Sequence, residues 1–167
     1  LWVPHLLSLH LIVQVKEWHS DFLTELSQII REEVLASKTI LCKEGASSLC
    51  SYHILSGRLT SVSTALRWRS EEFTDGMWVG EQSFLGPSRR RNGTIVARML
   101  TRLMVVPADG FRELITRLGL QERFTAFCET HLEKGICGRC GSIGDHFTHV
   151  CPFRQVKQAS KNKNSRW

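Results

Sequence analysis

Apolar residues recur at helical spacing at the start of the chain. Leu6, Leu7, Leu11 and Val15 share one stripe of Leu1–Lys16, which predicts an amphipathic helix. The segment is too short and, with His5, Ser8, His10 and Gln14, too polar for a membrane span. It also lacks the basic start and cleavage site of a signal peptide. Phe22, Leu23, Leu26, Ile29, Ile30 and Val34 repeat on one face and predict a second helix over Ser20–Ala36, with Ser20 or Asp21 as its cap. From Thr39 the pattern shortens to β-type runs: Thr39–Lys43, Tyr52–Leu55, Arg58–Ser63, and Ala65–Phe73 around a turn. Gly45, Gly57 and Gly76 mark the turns between them. Trp68 and Trp78 read as wall or core residues. Thr94–Arg98 and Arg102–Val106 are two more strands, the second ended by Pro107. Helices follow at Asp109–Leu118, capped by Asp109 and stopped by Gly119, and at Gln121–Lys134, which stops at Gly135. The second carries Phe124, Phe127, Cys128, His131 and Leu132 on one stripe. Short strands without intervening helices imply an antiparallel roll or barrel. The class is α+β, with helices on both sides of the roll.

Charge divides the chain further. The 167 residues suit one domain plus an appendage, and a 42% hydrophobic share supports a sizeable core. Of the net charge of +6, residues 136–167 hold +5, with six Lys and Arg against one Asp. The expected organisation is therefore a helix or linker over 1–19, a domain over 20–134, a cysteine-rich segment over 136–152 and a basic, disordered tail over 153–167. The first residue is Leu1, so a fragment of a longer protein is expected. His5, His10 and His19 are not spaced as a metal site and read as structural or exposed.

Gly80–Thr94 carries the candidate chemistry. Gly80 admits close backbone approach to a ligand. The Glu81 carboxylate only accepts hydrogen bonds, which suits sugar hydroxyls. Arginines at the far end offer a planar fork to a phosphate, and backbone N–H groups between them add an anion nest. The segment resembles the phosphate-binding cassette of cyclic nucleotide-binding domains: Gly80-Glu81, then Arg91-Asn92-Gly93-Thr94-Ile95. Ile40–Gly45, Tyr52–Gly57 and Ala97–Phe111 resemble the family's flanking strands and the start of its following helix. Three features depart from the pattern. Gly93 stands where the family usually has Ala, Gln82 where it usually has an apolar residue, and the Glu-to-Arg spacing is one residue longer. The resemblance implies a jelly-roll-like β-roll with a binding set of Gly80, Glu81, Gln82, Ser83, Arg90, Arg91, Asn92, Gly93 and Thr94. Either Arg90 or Arg91 takes the phosphate. The ligand would be cyclic AMP or cyclic GMP. Cyclic AMP is slightly favoured, because Asn92 replaces the Thr or Ser that follows the arginine in members preferring cyclic GMP. The C-terminal helices would move over the nucleotide. A larger parent protein of channel or kinase type, and an intracellular, cytoplasmic location, are implied as well, including the cytoplasmic part of a membrane protein.

Cys137, Cys140, His146 and Cys151 make a tetrahedral set for zinc. The segment resembles a retroviral-type zinc knuckle with a middle gap of five residues, and Gly-Asp-His-Phe-Thr…Cys-Pro also resembles the zinc segment of a translation initiation factor subunit. His149 competes with His146, and a disulfide competes with zinc. Cys42, Cys50 and Cys128 read as buried thiols. Zinc is expected to order the appendage without being needed by the roll. Ile143 and Phe147, exposed on the knuckle, together with the basic tail, offer an alternative function: binding single-stranded RNA or DNA, with the roll as an inert scaffold. A purely structural interaction module is a third reading. There is no Walker-type loop and no catalytic Ser/His/Asp or Cys/His arrangement outside the zinc set, so a non-enzyme is expected.

Overall fold

The computed structural model describes residues 2–64, 69–86, 89–131, 135–144, 146 and 148–152. Three short helices open the chain: α1 (Val3–Leu6), α2 (His10–Lys16) and α3 (Phe22–Ile29). The single helix expected over Leu1–Lys16 is broken, because Leu9 is extended (φ −107°, ψ 116°). The break buries Leu9 beside Leu6, Leu11, Ile12 and Val15. It also places the Ser8 hydroxyl where it accepts from Trp78 Nε1 at 2.8 Å.

Among the described residues, eight strands form two antiparallel sheets. β1 (Arg31–Leu35), β8 (Thr101–Pro107), β3 (Cys50–Ser56) and β6 (Trp78–Val79) make the first, in that order. β2 (Ile40–Cys42), β7 (Thr94–Ala97), β4 (Arg58–Ser63) and β5 (Arg69–Thr74) make the second. Helices α4 (Ala108–Arg117) and α5 (Gln121–His131) follow β8. This is the α+β roll with flanking helices, and a Cys/His cluster lies near the C-terminus. Among the described residues, no helix is long and apolar enough to cross a membrane.

The sheets close around one core and share a wall with a second. Tyr52, Ile54, Leu59, Phe73, Val79, Ile95, Ala97, Leu103 and Val105 pack inside the roll. Alternate residues of the first sheet, Met104 and Val106 on β8 and Trp78 on β6, point to the other side. There they meet Phe22 and Leu26 of α3, Phe111 and Leu114 of α4, and Phe124 of α5. Phe111 is the hub, with its ring centroid 4.5 Å from Phe84, 5.7 Å from Phe124 and 6.0 Å from Phe22.

The helix expected over Ser20–Ala36 ends early. Ile30 is extended, and Arg31–Leu35 pairs with Thr101–Val105 as an edge strand. Its helical period misleads, because only Leu35 of the strand is buried and Glu32 is held by Arg102 at 2.7 Å. Strand pairing overrides local propensity. Neither expected cap forms. Asp21 stands at the N-cap of α3 without a side-chain cap bond. Pro107, not Asp109, precedes α4, and Asp109 instead accepts from Gly110 N at 2.8 Å. Trp78 is core at 1% exposure. Trp68, Leu132, Phe147 and the 153–167 tail lie outside the described residues.

Candidate functional site

β6 runs into Gly80, whose φ of +74° suits a residue without a side chain. One 3-10 turn, Glu81–Leu85, follows. Three anchors fix it. Phe84 inserts between Trp78 and Phe111. Ser83 Oγ is 2.8 Å from Ser51 Oγ on β3. Arg112 Nη1 on α4 donates to the Ser83 carbonyl at 3.1 Å. Ser83 thus spends its hydroxyl inside the protein.

Arg91 is held from the far side. Its N–H donates to Ala46 O at 2.9 Å, and its carbonyl accepts from Gly45 N at 2.8 Å. The side chain is only 6% exposed. Nη2 donates to Cys50 O at 2.5 Å, and Cζ stands 5.4 Å from the Tyr52 ring centroid. Nη1 lies so close to Gly80 that a β-carbon there would overlap it. Nε and Nη1 have no hydrogen-bond partner among the described residues. Arg90, in contrast, is exposed and donates to Ser47 Oγ at 2.9 Å. Asn92 is exposed, and Thr94 Oγ1 accepts from Glu44 N at 3.1 Å.

Glu81 is 7% exposed and accepts from Gln82 Nε2 at 3.2 Å. Burial pushes its carboxyl up to about 7, against the opposing pull of its own backbone amide, Gln82 and Arg91. A buried carboxyl and a buried guanidinium with two unpartnered nitrogens, Nε and Nη1, can take a ligand carrying both hydroxyl and oxyanion.

The sulfur and imidazole atoms of Cys137, Cys140, His146 and Cys151 all lie within 4.8 Å of one another. Cys140 Sγ is 3.4 Å from His146 Nε2. A tetrahedral zinc would set sulfur–nitrogen edges of about 3.6 Å and sulfur–sulfur edges of about 3.8 Å. The donor set therefore fits. Burial opposes ionisation of Cys140, but hydrogen bonds from Ser142, Cys137 and Cys151 together bring that thiol down to about 7; burial pushes Cys137 up to about 12. The His149 side chain is outside the described residues. Ile143 is not the free apolar contact expected from the sequence. It bridges to Ile136 and packs on the helix-side core.

The family described as "Cyclic nucleotide-binding domain" matches residues 32–117. The chain belongs to that family. Solved structures share the cyclic nucleotide-binding domain fold at low identity. The cyclic nucleotide-binding-like protein from Brucella abortus is 23% identical, with a TM-score of 0.52 over 61% of this chain and 90% of that one. The N-terminal domain of a transcriptional regulator from Streptomyces coelicolor is 18% identical, with a TM-score of 0.53 over 66% and 81%. The C-linker/CNBHD of zELK channels, crystallized in the presence of cAMP, is 17% identical, with a TM-score of 0.54 over 66% and 57%. A search of curated proteins found no match.

Two departures from the cyclic nucleotide-binding domain pattern have local causes. A β-carbon at Gly93 would sit 2.5 Å from Ser61 Oγ and 3.0 Å from Val62 O, so Ala does not fit without a shift. Gln82 replaces an apolar residue and donates to Ile136 O at 2.7 Å, a partner the common pattern does not supply.

The sequence reading missed a pair formed by the buried His53 and the half-buried His5. His5 Nδ1 on α1 is 3.1 Å from His53 Nε2 on β3. Burial, reinforced by His5, lowers His53 from 6.5 to about 4. Its signal was a polar residue in the apolar run Tyr52–Leu55. The pair predicts a pH profile. His53 is held neutral, so its contribution is complete above about 6.5 and is lost as pH falls toward 4. Glu81 is held protonated, so its contribution is complete below about 4.5 and is lost as pH rises toward 7. The slopes oppose each other between 4.5 and 6.5, where wild-type stability should be nearly flat. Glu81→Gln should remove one slope and leave stability climbing from pH 4 to 6.5, by on the order of 3 kcal/mol. Denaturant titrations at four pH values test this; identical profiles for the two proteins would refute it.

Proposed function

We propose that this chain is a regulatory module that senses a cyclic nucleotide, with Glu81 accepting from the ribose 2′-hydroxyl and Arg91 taking the phosphate. The carrying observation is the buried Arg91 guanidinium over Gly80, whose Nε and Nη1 lack a partner. A buried donor left unpaired costs about 1–3 kcal/mol, and more when charged, so an oxyanion that satisfies both gains from that deficit. Arg91 is preferred to Arg90 because Arg90 faces solvent. Gly80, Gly93 and Thr94 shape the backbone of the site, and Gln82 and Ser83 position it. α4 is tied to the cassette through Arg112 and Ser83, which gives the ligand a route to the C-terminal helices. The role is regulatory and not catalytic. Cyclic AMP is favoured over cyclic GMP, as Asn92 replaces the hydroxyl residue.

The appended segment binds one zinc ion through Cys137, Cys140, His146 and Cys151, on the strength of the donor geometry. The domain runs over 20–134, followed by this segment over 136–152. Calorimetry of the purified chain should show heat on adding cyclic AMP and weaker binding of cyclic GMP. No heat from either at millimolar concentration would sink the sensing proposal.

A further inference from the structure

The Cys/His segment is built into the cassette. Trp78 N donates to Gly138 O at 2.6 Å, which extends the β6 edge of the first sheet into the turn. Gln82 Nε2 donates to Ile136 O at 2.7 Å. Arg139, its side chain 9% exposed, pairs with Glu71 on β5 at 2.9 Å. Gly138 lies against Glu81 itself: a β-carbon there would stand 3.0 Å from Glu81 Oε2 and collide with the Trp78 carbonyl. On the other side, His10 N at the start of α2 donates to Gly141 O at 3.1 Å. Ile136, 1% exposed, joins the helix-side core. The turn is thus wedged between α2 and β6, and it packs against one oxygen, Oε2, of the carboxyl that the nucleotide reading uses.

Little in the turn's own composition holds it there. Gly135, Gly138, Gly141 and Gly144 recur every third residue, and fixing a residue's backbone costs about 1–2 kcal/mol, most for glycine. Only Ile136 and Ile143 supply apolar anchorage between residues 135 and 144. Cys137 and Cys140 each immediately precede one of the two glycines that touch Glu81, Trp78 and the start of α2. A cross-link at these thiols fixes those contacts.

We propose that zinc held by Cys137, Cys140, His146 and Cys151 is a buttress of the nucleotide cassette, keeping the Gly138 turn over Glu81 and the Gly80–Leu85 segment ordered. This rests on the zinc reading above, and it replaces the expectation that the metal serves the appendage alone.

Amide exchange of the full chain, purified under reducing conditions and studied without nucleotide, tests it beside elemental analysis. One zinc per chain is expected. A chelator should speed exchange at least tenfold both in residues 136–144 and in Gly80–Leu85, and added zinc should restore both. Arg139→Ala removes the Glu71 ion pair and leaves the four zinc ligands and the residue-139 backbone amide in place; it should keep the metal and yet speed exchange in Gly80–Leu85. No zinc in the protein would overturn the zinc reading and the buttress together. Zinc present, with chelation confined in its effect to residues 136–144, would overturn the buttress alone. Because no nucleotide enters the measurement, failure of cyclic nucleotide binding leaves this result readable.

Discussion

Arg91→Ala is expected to weaken cyclic AMP binding by about ten- to a hundredfold while costing the unliganded roll little stability. The affinity loss is that of a charge-assisted phosphate contact, about 1.5–3 kcal/mol. The stability expectation follows from the free site. Arg91 is 6% exposed, and among the described residues its side chain makes one hydrogen bond, to Cys50 O, and its Nε and Nη1 are unpaired. Removing the side chain forfeits that bond and the Tyr52 contact, but it also relieves the desolvation of a buried cation. Arg90→Ala is the control. Its guanidinium meets Ser47 at the surface and should change affinity less than threefold. Calorimetry gives the affinities and urea denaturation the stabilities. Equal affinity for Arg91→Ala and wild type would place the phosphate elsewhere. A large loss for Arg90→Ala instead would exchange the roles of the two arginines.

Trp78→Ala should be the most destabilising single truncation in the sheet. Trp78 is 1% exposed, and it touches the ring of His53 at 5.1 Å and that of Phe84 at 6.4 Å between centroids. Its indole N–H holds Ser8 between α1 and α2. Emptying such a site costs about 3–5 kcal/mol. For a chain of this size that lowers the melting temperature by about 6–20 °C. Trp78→Phe keeps most of the volume and drops the Ser8 bond, so it should lose only about 1–2 kcal/mol more than a repacked aromatic would. Calorimetric melts of both variants check the order. A Trp78→Ala melt within two degrees of wild type would show that the N-terminal helices do not depend on this wall.

What the sequence revealed was what its neighbours in the chain decide. Arg58–Ser63 is a strand with the expected bounds, because Gly57 and the short β-type run that follows it are local signals. The Cys/His cluster was legible for the same reason: its four residues fall within fifteen positions. Arg31–Leu35 was misread because its apolar spacing is helical and only pairing with distant β8 makes it a strand. The choice between Arg90 and Arg91 stayed open because facing inward depends on the backbone bonds of Arg91 to Gly45 and Ala46, more than forty residues away. Gln82 looked like a flaw in a family pattern. Its partner, the carbonyl of Ile136, lies beyond the region that pattern describes. The histidine pair escaped notice because His5 and His53 meet only through the docking of α1 on β3.

The two-sided wall has a consequence for strand alignment. Leu103, Met104, Val105 and Val106 are apolar without interruption, so sliding β8 by one residue would exchange apolar side chains between the two cores with little hydrophobic penalty. Alignment must be enforced by partners that cannot trade sides. On β3, opposite Val106 and Met104, stand Ser51 and His53. Ser51 is committed to Ser83 and the Gly80 carbonyl, and His53 to His5. At the other end, Thr101 Oγ1 bonds both the carbonyl and the N–H of Arg58. The greasiest strand in the protein is therefore kept in step by its polar neighbours. Replacing Ser51 and His53 with apolar residues of similar size would leave both cores filled and leave the alignment of β8 resting on Thr101 at its other end.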